Sequence, residues 1–145
     1  MYTGILHLHS FLPYIFISLL IISILVFWTK HSGKKEFGKS DKQLALFTLI
    51  LAHTQATIGL VLYFISPITK AAFENSSELM SNETYRFYAV EHILTMIFGI
   101  ILITMGYSKS KKKEGTAKFK GLALFYTIAL VLILSRLPWE AWLGV

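Results

Sequence analysis

Apolar residues run along this chain in four long blocks, Gly4–Thr29, Leu44–Ser66, Phe87–Tyr107 and Gly121–Leu137, separated by polar links. Each block is close to the ~20 residues that a helix rising ~1.5 Å per residue needs to cross ~30 Å of hydrocarbon. Runs this long and this uniformly apolar do not fit the short alternating strands of a membrane barrel. The pattern predicts an all-α integral membrane protein: a four-helix up-down-up-down bundle, with helices near 4–29, 44–66, 85–107 and 120–138, in a single transmembrane domain over 1–145. Ser40 and Gln43 stand at capping-box spacing ahead of the second block, so helix two is expected to start near Asp41, and Pro67 marks its far end. The KAAFENSSELM portion of the longest link predicts a short interfacial helix. Trp139 and Trp142 predict an aromatic anchor after the fourth block.

Composition agrees with lipid as the main solvent. Of 145 residues, 54% are hydrophobic and 15% charged, more apolar than a soluble core of this size requires. Cysteine is absent, which excludes disulfides, thiolate metal sites and iron–sulfur clusters. The opening MYTGILHLHSFLPY has no basic stretch ahead of its apolar run and carries two histidines, so it reads as a retained helix rather than a cleaved signal.

Charge orients the bundle. The links KHSGKKEFGKSDKQ and SKSKKKEGTAKFK hold eleven of the fourteen basic residues, which with Glu36, Asp41 and Glu114 leave +8. The remaining Lys70, Arg86 and Arg136, with five glutamates, leave −2, completing the net +6. By the positive-inside rule both basic links are cytoplasmic and both termini lie on the outer, periplasmic side of a bacterial inner membrane. The basic balance thus speaks of topology and of attraction to membrane lipids, not of nucleic acid.

Several polar groups fall within the apolar blocks, where each costs roughly 2.5–3.5 kcal/mol and needs a partner or a purpose. Helix one carries His7 and His9, helix two His53 and Gln55, helix three Glu91 and His92, and helix four Arg136. Counting along each helix from nearby aromatics, His92 lies about 6 Å beyond Tyr88, His9 about 10 Å beyond Tyr2 and Arg136 about 5 Å from Trp139, whereas His53 is about 15 Å beyond Tyr63. His9, His92 and Arg136 therefore share an outer layer, and His53 is nearer the middle. In an up-down bundle, helices one and three are diagonal neighbours, so an imidazole from each can approach one iron from opposite sides. Ala52, Ala56 and Gly59 on helix two, with Thr95 and Gly99 on helix three, are small residues where a macrocycle edge can approach. Arg136 is placed to pair with a propionate.

His7 and His9 are two apart, about 200° around a helix, so only one of them faces the axis. The deeper His9 is favoured, and Pro13 releases its carbonyl from the helical ladder. The plain alternative is that the histidines bond carbonyls or hydroxyls across helices, and that Glu91 and Arg136 form an ion pair.

GILHLHSFLPY, KKEFGKSDKQLALFTLILAHTQATIGLVLYFISP, RFYAVEHILTMIFGIILITMGYSKSKK and LSRLPW resemble a family of small four-helix membrane proteins of Bacteroidota labelled cytochrome B, over nearly the whole chain. More distantly, Gln55-Ala56-Thr57-Ile58-Gly59 and His92 are similar to one half of haem A synthase, whose unit carries a Q-x-x-[LI]-G run. The E-x-x-H-R motif of that unit is missing, because Leu6 precedes His9 by three and Ser10 follows it. What the resemblance implies is haem ligation rather than oxidative haem modification.

The expectation from the sequence is a b-type haem protein or haem-carrying subunit passing single electrons. His9 and His92 are its iron ligands, and His53, His7 and Arg136 line the cofactor. Quinone or a respiratory complex is the expected partner. The alternatives are a cofactor-free accessory subunit of a larger membrane assembly, or a haem-modifying or metal-dependent enzyme.

Overall fold

The computed structural model describes residues 1–143, and among them every regular element is helical. Four helices are long and apolar enough to cross a membrane: α1 (Tyr2–Ser32), α2 (Lys39–Ile65), the continuous span Glu83–Ser110, and α6 (Ala117–Ser135). The third span is built from α4 (Glu83–Arg86), a π-helical turn at Phe87–Glu91, and α5 (His92–Ser110). Two short helices, α3 (Pro67–Glu74) and α7 (Trp139–Leu143), follow the second and fourth spans.

Helix ends follow local chemistry more closely than hydropathy. The second span begins at Lys39, two residues before Asp41: Gly38 is the N-cap, and its N–H donates to the Asp41 carboxylate at 3.0 Å. Asp41 also takes the Lys30 ammonium at 2.6 Å, joining the end of α1 to the start of α2. Ser66 stops α2 and caps α3, whose first residue, Pro67, has no N–H to lose. The short helix of the long link covers Pro67–Glu74, earlier than KAAFENSSELM suggested. The fourth span stops at Ser135, short of 138, because Pro138 disfavours helical geometry in the residue before it.

The helices close into a ring: α1 packs on α2 and α6, and α5 packs on α2 and α6. Thus α1 and α5 are diagonal. Each helix turns one stripe inward, with Pro13, Phe16, Leu20, Ser23, Ile24 and Phe27 on α1 and Phe119, Leu122, Tyr126, Ala129 and Ile133 on α6. The stripe of α2 is small, with Ala45, Thr48 and Ala52 buried, so backbones approach closely. At Gly99 and Gly106 an added Cβ would come within 2.9 Å of Ile133 and 2.8 Å of Phe125, so α6 lies directly against α5 there. Large side chains such as Phe47, Phe64, Phe98 and Val131 point outward, a surface suited to acyl chains rather than water.

Contacts between links show which ends lie together. His31, at the end of α1, donates its Nδ1–H to the carbonyl of Thr116 in the link before α6, at 3.1 Å. The two lysine-rich links therefore meet at one end of the bundle. At the other end Tyr14 stacks on Trp142, with ring centres 4.3 Å apart, and the indole N–H of Trp142 donates to the Ser10 carbonyl at 3.1 Å.

Candidate functional site

His9 belongs to the buried stripe of α1, one turn before Pro13 and two before Phe16 and Ile17, while His7 falls off it and is exposed. His92 stands at the first α-helical position after the π turn. The two imidazoles, from diagonal helices, face each other with ring centres 6.5 Å apart and planes at 81°. At that separation no two ring nitrogens are nearer than about 4 Å, beyond the ~3 Å of a direct hydrogen bond. Were one nitrogen of each ring turned toward the other, that lower limit would match the sum of two metal–imidazole bonds of ~2.0–2.1 Å each.

Each ring is held by a different device. The Nδ1 of His92 is 2.8 Å from the carbonyl of Arg136, which only accepts, so Nδ1 carries the proton and the Nε2 lone pair is left free. Phe87 lies along the same ring, 5.9 Å away and tilted by 33°. The other ring is held by Gln55 on α2. Its amide nitrogen donates to the His9 carbonyl at 2.9 Å, the acceptor that Pro13 releases from the helical ladder. The same nitrogen is 3.1 Å from Nδ1 and 3.5 Å from Nε2 of His9. A donor lying on the in-plane lone pair of one imidazole nitrogen would be about 5 Å from the other. The amide therefore lies over the ring face, and neither nitrogen of His9 is engaged in the ring plane. Gly59, one turn along α2, makes room for the ring edge: a Cβ there would come within 2.8 Å of Cε1.

No family model, curated protein or solved structure matches this chain. What the site can do is therefore read from its own atoms.

The charges beside the rings form a chain. Glu91 takes Arg86 Nε at 2.9 Å on one oxygen and Arg136 Nε at 3.4 Å on the other. Arg136 is thus gripped twice, its side chain by Glu91 and its carbonyl by His92. The π turn makes this possible by adding a residue to the helix just before His92, a distortion that recurs at functional sites. Tyr63 steadies the turn by donating to the Ala89 carbonyl at 3.0 Å.

Of the residues singled out from sequence, the structure brings His9, His92 and Arg136 into one layer, and it leaves His7 and His53 outside. His53 is on the exposed face of α2 and donates its Nδ1–H to the Leu49 carbonyl of its own helix at 2.9 Å. The small residues are also allotted: Gly59 faces the His9 ring, Gly99 faces Ile133, and Ala52 is fully buried. Thr95 lines an apolar groove with Phe98 and Met105 on the outside of the bundle. Sequence reading gave no role to Gln55 beyond its motif or to Arg86, although Pro13 four residues after His9 was the signal that a donor should be sought.

Two observations bear on what the rings can hold. Gln55 Oε1 is buried without a hydrogen-bond partner, so a polar acceptor beside His9 is left unused. Among the described residues no group of three or more His, Cys, Asp or Glu is arranged to hold a metal ion. Two imidazoles are too few for a bare zinc or iron ion, which takes at least three protein ligands. They suffice for an iron that brings its own equatorial nitrogens.

Proposed function

We propose that this chain is a membrane-embedded b-type haem protein, a one-electron carrier or haem-carrying subunit in which His9 and His92 would hold the haem iron. In this reading the bundle runs up-down-up-down across a bacterial inner membrane. The lysine-rich links are cytoplasmic and both termini periplasmic, a reading supported by the charge asymmetry of +8 against −2. The observation that carries the proposal is the facing pair of imidazoles, 6.5 Å apart on diagonal helices. The resemblance to the cytochrome B-labelled family points the same way.

The chain's own part is to position donors and to manage charge. Arg136, through its carbonyl, fixes the His92 tautomer that presents Nε2 and makes that nitrogen a better donor. Gln55 and Gly59 hold the His9 ring from its face and its edge. Arg86 and Arg136 share a single carboxylate, leaving one net positive charge to meet a propionate in the same layer. Bound haem would supply an iron centre that cycles by one electron without proton chemistry from the protein. Its exchange partner is a membrane quinone or a neighbouring respiratory subunit, since both can reach a site surrounded by lipid.

The test is a reduced-minus-oxidised visible spectrum with a pyridine haemochrome assay on protein purified in detergent. The wild-type chain is expected to show a low-spin b-type spectrum, and His92→Ala to lose the pigment while remaining folded. A folded wild-type preparation that stays colourless after haem supplementation overturns the proposal. The Gln55, Glu91 and Arg136 contacts would then be read as fasteners in an accessory subunit.

A further inference from the structure

At the end of the bundle remote from the histidines, a cavity of about 230 Å³ opens between α2, the end of α5 and the start of α6. Three lysines, Lys42, Lys111 and Lys118, are among the residues that line it, and no acidic residue is. No salt bridge joins any of the three among the described residues, and Asp41, beside Lys42 in sequence, is already taken by Lys30. Two of the cations are braced on aromatic faces: Lys111 Nζ lies 4.6 Å from the Tyr107 ring centre and Lys118 Nζ 5.3 Å from that of Phe37. The same two rings, with Ala45, give the cavity an apolar floor.

Three like-charged side chains bordering one hollow repel one another, and a shared anion relieves that repulsion. Ammonium groups act as point charges suited to phosphate, without the fork geometry by which arginine selects carboxylate. The depth of the site selects the carrier of that phosphate. Tyr107, Ser110 and Lys111 mark the point at which the third span passes from apolar to basic sequence, the level of lipid headgroups. A phosphate tethered there by acyl chains meets the cavity at a high effective concentration, and its tails have the outward-facing apolar surface of α2 and α5 to lie on. Basic pockets between spans on the cytoplasmic side are where anionic headgroups bind.

We infer that the Lys42–Lys111–Lys118 cavity is a binding site for the phosphate headgroup of an anionic phospholipid. It is separate from the histidine layer and independent of whether haem is bound there.

The experiment measures lipid retention by native mass spectrometry on the full chain released from vesicles of phosphatidylcholine containing a minority of phosphatidylglycerol. Inorganic phosphate alone is offered in a parallel arm. Wild type is expected to retain phosphatidylglycerol in preference to phosphatidylcholine. Removing three headgroup-facing charges, worth about 1 kcal/mol or roughly fivefold each, should lower that retention about a hundredfold in the triple variant Lys42→Gln, Lys111→Gln, Lys118→Gln. The single Lys42→Gln, at an exposed position outside the two aromatic contacts, should lower it about fivefold. The control triple Lys35→Gln, Lys39→Gln, Lys112→Gln removes equal charge from the same end outside the cavity and should keep most of it. Equal loss in both triples would show diffuse surface attraction and overturn the site. Undiminished retention in the cavity variants would overturn it too, as would inorganic phosphate binding as well as the lipid.

Discussion

The half of the bundle nearer the lysine-rich links and the half that holds the histidines are packed differently. In the first, polar groups find each other across helices: Ser23 and Thr48 hydroxyls meet at 2.8 Å, Tyr126 donates to the Ala45 carbonyl at 3.0 Å, and the Trp28 indole donates to Thr127 at 3.2 Å. Around them Leu20, Phe27, Phe119, Leu122 and Tyr126 are completely buried. In the second half, Gln55 keeps a buried oxygen without a partner, and the two imidazoles stand 6.5 Å apart, with only Nδ1 of His92 bonded in the ring plane, to the Arg136 carbonyl. The third helix, α-helical through the first half, is π-helical at Phe87–Glu91 in the second. One half satisfies its polar atoms internally, whereas the other leaves acceptors over, and unmet polarity inside a span is kept where something else is to meet it.

This division gives a way to separate stability from binding. The largest loss of stability is expected from Phe27→Ala, which empties a fully buried site among Phe119 and Tyr126. It should lower unfolding free energy in detergent by about 3–5 kcal/mol. Pigment per folded molecule should hardly change, since the cavity lies at the far end from His9 and His92. If Phe27→Ala instead removed pigment while leaving stability intact, the two halves would not be separable.

Gly59→Ala attacks the other half at a smaller scale. The new methyl would meet His9 Cε1 at 2.8 Å, and the ring, as the end of a side chain, is what gives way. Alanine favours the helix over glycine by about 1 kcal/mol, which offsets most of the overpacking, so stability measured by thermal unfolding should move by about 1 kcal/mol or less. The displaced imidazole should show in the visible spectrum, as a shifted band or reduced haem content. An unchanged spectrum with a destabilised fold would mean that Gly59 serves only helix packing.

The four spans were legible because hydropathy at lipid depth is a coarse and strong signal: the blocks 4–29, 44–66, 85–107 and 120–138 all lie on observed helices, with ends displaced by a few residues. Those displacements trace to single groups, the Asp41 carboxylate drawing the N-cap back to Gly38 and Pro138 ending the fourth span at Ser135. The opposition of His9 and His92 was legible from spacing, since His9 continues the stripe of Pro13 and Phe16 while His7, about 200° away, cannot. What was not legible depends on backbone detail. The Glu91–Arg136 ion pair and a histidine bonded to a carbonyl across helices were both read from the sequence and both are present, but a π turn has no signature in apolar periodicity, so that His92 takes the carbonyl of that same arginine was not legible. Arg86 entered only the charge sum of the outer side, because its pairing with Glu91 spans that same turn. His53 was given a depth but not a direction, and direction decides its surroundings.

The smallest expected effects come from the two histidines outside the layer, and they sharpen the comparison by their silence. His7→Ala removes an exposed ring for which no side-chain bond is recorded, so stability should change by less than about 0.5 kcal/mol and haem content should be unaltered. His53→Ala removes a bond to the Leu49 carbonyl, made within one helix and on its outward face. The carbonyl keeps its place at the helix surface, and the loss should stay below about 1 kcal/mol. Measured side by side with His92→Ala under the same haemochrome assay, both variants should be as coloured as wild type. A colourless His53→Ala would mean that the outward face of α2 turns inward when the cofactor binds, and the layer of His9, His92 and Arg136 would then be only part of the site.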